Sequence, residues 1–302
     1  MKEIVILSGK GGTGKTTIAG SLAALASKEM YIVMADLDVD AANLELITQP
    51  KMIDKHNFAS GKKAVIDQNL CINCGVCLDA CRFDAVKSLN GHYQIDESYC
   101  EGCLSCFYQC PVNAIHTEEQ VSGEWLFSTT PYGNLFHARL KPGAENSGKL
   151  VTQVRSAAAE SCSENHCELL LLDGPPGTGC PVTASIRGAN YALIVTEPTQ
   201  SGLHDLDRIF LVAKHFRVPA FLVINKADLN EQICGKIIAF AQERHLPILG
   251  EIPYDERIFS LQSKAKPLIE VDESAATDAL RFIWQRLKFE AGLNETDHKY
   301  NA

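Results

Sequence analysis

Eight cysteines fall between positions 71 and 110, and no other stretch restricts the folding of this chain as tightly. They read Cys71-x2-Cys74-x2-Cys77-x3-Cys81, then Cys100-x2-Cys103-x2-Cys106-x3-Cys110-Pro111. Three sulfurs so close in sequence meet on one small group only if the loop between them turns tightly, and Gly75 and Gly102 relieve crowding there. Soft thiolates suit iron in a sulfide lattice. Zinc knuckles and disulfides are the alternatives, although zinc favours two separated ligand pairs, which two spaced quartets fit poorly. The segment is an internal duplicate: Cys-Arg-Phe-Asp-Ala-Val at 81–86 stands against Cys-Pro-Val-Asn-Ala-Ile at 110–115.

The N-terminus carries a second signature. Ile4-Val5-Ile6-Leu7 is a short apolar run suited to a buried parallel strand. It leads into Ser8-Gly9-Lys10-Gly11-Gly12-Thr13-Gly14-Lys15-Thr16-Thr17 and an alanine- and leucine-rich helix. Strand, glycine loop and helix in that order form a phosphate loop. The glycines let backbone N–H groups close around phosphate oxygens, and the helix N-terminus adds its positive dipole end. Lys15 is placed for the outer phosphates and Thr16 for Mg2+. Further buried strands are expected at 32–35, 169–172, 193–196 and 221–224. The first two end on Asp36-Leu37-Asp38 and on Asp173, acids at strand ends that suit a Mg2+ water shell.

The cysteine runs closely resemble those of two-cluster bacterial ferredoxins, in which each run gives three thiolates to one cluster and its fourth to the other. The resemblance implies one [4Fe–4S] cluster on Cys71, Cys74, Cys77 and Cys110, and a second on Cys100, Cys103, Cys106 and Cys81. Arg82 stands where that family often has proline; the ligands are untouched. Lys10, a lysine just after the first glycine of the phosphate loop, resembles the deviant loop of the MinD, ParA, Mrp and nitrogenase-iron-protein group. The likeness covers nearly all of the chain outside the cysteine segment. It implies a Mg-dependent ATPase with catalytic Lys10, Lys15 and Asp38. Lys10 would reach across a dimer, and Asp38 would position the attacking water. Gly11, Gly12, Thr13, Gly14, Lys15, Thr16 and Thr17 would hold the nucleotide, with Asn225 and Pro253 on the adenine side; Thr16, Asp36 and Asp173 would surround Mg2+. Asp173-Gly-Pro-Pro-Gly-Thr-Gly179 resembles the second switch of the Mrp form. Asn225-Lys226-Ala227-Asp228 also fits a guanine-binding pattern, so GTP is the alternative nucleotide.

The expected fold class is α/β: a P-loop NTPase with a mostly parallel sheet flanked by helices at 1–58 and 118–302, plus an inserted α+β ferredoxin-type domain at 59–117. With 46% hydrophobic residues the chain can bury a sizeable core, and a net charge of -9 argues against a nucleic-acid surface. No apolar stretch is long enough to span a bilayer, and the segment 279–293 reads as a core-packed helix rather than a basic membrane anchor. Reduced thiolates point to a cytoplasm with little oxygen. Cys162, Cys167 and Cys234 read as packing or surface thiols, and Cys180 as a small residue of the second switch, near a dimer axis. The expected function is ATP hydrolysis in a nucleotide-switched homodimer or paralogue heterodimer. It would be coupled to iron–sulfur electron transfer or metallocofactor assembly with a partner protein. The alternative is a positioning or scaffold ATPase whose clusters are structural or redox-sensing.

Overall fold

The computed structural model describes residues 1–141, 144, 147–256, 265–271 and 273–293. They form two compact units. The first comprises residues 1–56, 125–140 and the described residues from 147 onward; the second comprises 57–124 with the described part of 141–145. The second unit is wider than the expected 59–117, because its boundaries fall inside two long strands, β3 (Lys51–Ile66) and β6 (Ile115–Thr130).

In the first unit the apolar runs become strands. β1 is Lys2–Ser8, β2 Ile32–Asp36, β7 Gly133–Leu140, β8 Leu169–Pro176, β9 Tyr191–Thr196, β10 Ala220–Asn225 and β11 Ile248–Ile252. The sheet order is β11-β10-β9-β1-β8-β2-β7-β6-β3, and the series from β11 to β7 pairs in parallel. β1 lies between β8 and β9, so the chain moves outward from it in both directions. At such a reversal the carboxyl ends of neighbouring strands leave a crevice for ligands.

Helix α1 (Lys15–Ala26) starts at Gly14, whose φ of 87° belongs to the left-handed region. A Cβ there would also collide with the Asn225 amide, so only glycine fits. Ile18, Leu22 and Ala26 of α1 join Ile4, Ile6, Met34, Leu171, Val195 and Val223 of the strands in one apolar cluster. α7 (Gln200–His215) is capped by Thr199, and the last helix, α9 (Ala275–Glu290), by a Ser274–Thr277 capping box. α9 buries Leu280, Ile283, Trp284 and Leu287 in the same cluster, so it is a core helix. Among the described residues no helix is long and apolar enough to cross a membrane. Cys162 and Cys167 are not separate thiols. They form a buried disulfide that closes the end of α5 (Ser147–Glu164) onto the approach to β8, with Cα atoms 4.8 Å apart. A spacing of five residues across a helix end had concealed it.

The second unit is built twice. Its cysteines repeat at a constant offset, 100 − 71 = 29, and the backbone repeats with them. Asp67 N–H donates to the Ala114 carbonyl and Asp96 N–H to the Ala85 carbonyl, both at 2.7 Å; Cys71 and Cys100 N–H each donate to the aspartate carbonyl four residues earlier, both at 3.1 Å. Each half thus begins on the end of the other. Short helices α3 (Val76–Ala80) and α4 (Ser105–Gln109) follow the cysteine loops, and β4 (Val86–Leu89) pairs antiparallel with β5 (His92–Ile95).

Candidate functional site

Five strand ends bring the expected nucleotide residues together. Lys15, at the first turn of α1, is 6% exposed and its Nζ lies 2.5 Å from Asp173 Oδ1, within β8 and three residues before its end. Asp173 sits opposite Asp36 in the pairing of β8 with β2. Burial would pull the Lys15 ammonium down, but Asp173, Asp36 and Asp38 hold it above its ordinary value. Burial and the neighbouring Asp173 push the Asp36 carboxyl up to about 7, and burial also raises Asp38. The site thus holds more carboxylate than its one lysine compensates.

Each acid has a distinct place. Asp36 organises its loop: Oδ1 accepts Asp38 N–H at 3.1 Å, and Oδ2 accepts Asn43 N–H at 3.0 Å and Leu44 N–H at 2.9 Å. Asp173 Oδ2 is buried with no hydrogen-bond partner, and so is the Thr13 hydroxyl of the phosphate loop. Buried polar atoms are normally satisfied. An anion in the loop and a hydrated cation beside Asp173 would supply what these two lack, so the residues present fit Mg-nucleotide. Gly11 and Gly12 are exposed at the loop's crest, and Thr16 and Thr17 continue into α1.

Two expected residues take different contacts. The Asn225 amide donates to the Thr13 carbonyl at 2.7 Å, fastening the phosphate loop to the end of β10. Lys10 turns onto its own chain: its Nζ lies 2.7 Å from Glu197 and donates to the Thr199 and Ser201 hydroxyls at 3.1 and 3.0 Å. Glu197, at the exit of β9, also holds Lys226 at 2.9 Å, and Lys226 donates to the Gly12 carbonyl at 3.1 Å. Burial opposes ionisation of Glu197, but hydrogen bonds from Lys10 and Lys226 hold its carboxyl below the ordinary range. In the sequence Glu197 is marked only as an acid directly after an apolar strand. Asp228 accepts Tyr254 N–H at 2.7 Å, next to Pro253. Cys180 is the exposed first residue of α6 (Cys180–Ile186).

In the second unit the cysteines fall into two sets. Cys71, Cys74, Cys77 and Cys110 wall one cavity, and Cys81, Cys100, Cys103 and Cys106 another. Each set takes three members from one run and one from the other. The loops reach this geometry through left-handed residues: Asn73, Gly75, Gly102 and Leu104 have φ of 56°, 83°, 63° and 62°. At the 29-residue offset Asn73 matches Gly102 and Gly75 matches Leu104, so the two glycines are not equivalent. Among the described residues no three His, Cys, Asp or Glu side chains converge as ligands of a single metal ion. The thiols ring a volume, as a four-iron cube needs and a lone zinc does not. Ala114 N–H donates to Cys110 Sγ at 3.2 Å. Burial raises the Cys77 and Cys106 thiols above their ordinary range.

The family model described as the CobQ/CobB/MinD/ParA nucleotide binding domain matches residues 4–268. The chain belongs to this family. It is a nucleotide-hydrolysing P-loop ATPase of the MinD/ParA type. An uncharacterized protein of Methanocaldococcus jannaschii is 33% identical over 287 residues, 95% of this chain and 96% of that one. The iron-sulfur cluster carrier protein of the same organism is 24% identical over 299 residues, covering 93% of this chain and 82% of that one. Among solved structures, the septum site-determining protein MinD of Pyrococcus horikoshii with Mg-ADP aligns over 98% of this chain and 99% of its own. The TM-score is 0.59 at 19% identity, a likeness of fold.

Proposed function

We propose that this ATPase works as a nucleotide-switched dimer, and that its second unit is a ferredoxin-type domain with two [4Fe–4S] clusters. Hydrolysis would be coupled to electron transfer or metallocofactor assembly with a partner protein. The observation that carries the reading is the crossed division of eight cysteines between two cavities. Neither run could fill its quartet alone. Cys71, Cys74, Cys77 and Cys110 would hold one cluster and Cys100, Cys103, Cys106 and Cys81 the other. Bound there, the clusters would supply one-electron transfer.

At the nucleotide site the work is positioning and charge stabilisation. Backbone N–H groups of Gly11 to Thr17 and the Lys15 ammonium would take phosphate charge. Asp173, with its unpartnered buried oxygen, and Thr16 would hold the hydrated Mg2+; Asp36 keeps the neighbouring loop in place. Asp38 would orient water. Lys10 would leave Glu197 to meet the partner protomer's nucleotide. ATP is the nucleotide we assign.

The test is anaerobic. Purified protein should contain about eight irons. Cys110→Ser should remove the cluster of Cys71, Cys74 and Cys77 although it lies nearer the other run, and selective loss of the other cluster would overturn the crossed ligation. ATP, but not a non-hydrolysable analogue, should accelerate electron delivery to a partner. Equal rates with and without ATP would favour the positioning reading.

A further inference from the structure

The loop that carries Asp38 is fastened at both ends by side chains. Its near end is held by Asp36, whose Oδ2 accepts the N–H groups of Asn43 and Leu44. Its far end is Glu45, the first residue of the short helix α2 (Glu45–Thr48). Two residues of β7 clasp Glu45: Arg139 Nη2 lies 2.5 Å from Oε1, and His137 Nδ1 lies 3.0 Å from Oε2. His137 is 2% exposed, and its Nε2 is 3.1 Å from the Ser128 hydroxyl on β6. The Nδ1 contact is close but makes no hydrogen bond in this geometry. His137, with Arg139, holds the Glu45 carboxyl below its ordinary range against the opposing effect of burial. β7 also touches the loop directly: Leu140 N–H donates to the Val39 carbonyl at 3.3 Å.

A serine, a histidine and an acid in a row also describe a nucleophilic triad. Ser128 is 1% exposed, so no substrate reaches its hydroxyl. The row points the other way, toward the loop.

We infer that His137 is a positioning residue for hydrolysis, which acts through Glu45 to hold the segment 37–44 with Asp38 facing the terminal phosphate. This rests on the assignment of the attacking water to Asp38. With its proton on Nδ1, the imidazole turns an N–H toward Glu45 and can accept from Ser128 at Nε2. Asparagine in its place presents an amide N–H near the Nδ1 position, whereas glutamine presents one near Nε2. The two substitutions therefore separate the tether from mere filling of the space.

The experiment measures steady-state ATP hydrolysis by the full chain carrying H137N, H137Q, E45A or D38N, with hydrogen exchange at the amides of Asn43 and Leu44. H137Q and E45A should lower kcat about tenfold or more with KM for ATP within about twofold, because a displaced loop misplaces the water without weakening nucleotide binding. Both should speed exchange at Asn43 and Leu44, and H137N should restore slow exchange and most of kcat. E45A, at a partly exposed side chain, decides the matter should H137Q fail to fold. Unchanged kcat and exchange in H137Q and E45A would overturn the tether. So would a raised KM at constant kcat, or equal losses in H137N and H137Q. D38N hydrolysing at the wild-type rate would instead overturn the role of Asp38, and exchange at Asn43 and Leu44 would still decide the tether.

Discussion

Lys15 and Asp173 are each almost wholly buried, and neither charge is tolerable without the other. Lys15→Ala should therefore abolish hydrolysis and also destabilise the nucleotide-free protein by about 3–5 kcal/mol, the usual cost of stranding a buried charge. Adding Asp173→Asn should return part of that stability and none of the activity; denaturant titration of the single and double variants checks both. Glu45 makes a pH prediction. Its folded pKa is depressed, first by the His137 contact and also by Arg139. Its contribution is therefore present above the unfolded value of 4.5 and lost as the pH falls through the folded value. The denaturation midpoint of the wild type should fall more steeply on acidification than that of Glu45→Gln, and parallel curves would show that the clasp contributes nothing. Lys15, Asp173 and Asp36 were readable because a strand end and a loop announce them. His137 and Glu45 were not, since their partners lie far away in the chain and no local pattern marks them.

Among the elements, the cysteine loops allow the least variation. Gly102 has φ of 63°, and a Cβ on it would collide with the Lys62 carbonyl. Gly102→Ala should accordingly cost the cluster of the second cavity, lowering iron from about eight to about four per chain, while the first cluster keeps its spectrum. Retention of both clusters would show that the Lys62 backbone can yield. The matching residue of the other half is Asn73, which already carries a side chain at φ of 56°, so the collision and not the dihedral alone makes the case. Strand legibility follows the same physics. β1, β2, β8, β9 and β10 are covered on both faces and read as unbroken apolar runs. β3 and β6 are sixteen residues each with mixed burial, and sequences such as Lys51–His56, exposed throughout, carry no comparable signal.

The two units differ greatly in what holds them. The first has a continuous apolar cluster running from α1 through the sheet to α9. The second has a much smaller cluster of Ala64, Ile66, Cys77, Val86, Cys106 and Ile115, and two of these are cysteines. So small a core does not by itself offset the entropy of ordering some seventy residues, and the clusters proposed above would supply the difference. Anaerobic chelation of the iron should therefore abolish hydrogen-exchange protection across 57–124, while nucleotide binding and slow exchange in β1, β8 and α1 persist. Loss of both together would mean that the units fold as one.

The sequence by itself determined the nucleotide fold, the phosphate loop, the acids at the ends of β2 and β8, and the duplicated cysteine runs. These are local patterns whose spacing has a direct physical meaning. Tertiary structure alone decided that Lys10 rests on Glu197, that Asn225 fastens the phosphate loop, and that Cys162 and Cys167 form a pair. It also decided that His137 clasps Glu45 beneath the Asp38 loop. Those contacts join residues on different strands or across a helix end, and their geometry exists only once the sheet has set the distances between its strand ends.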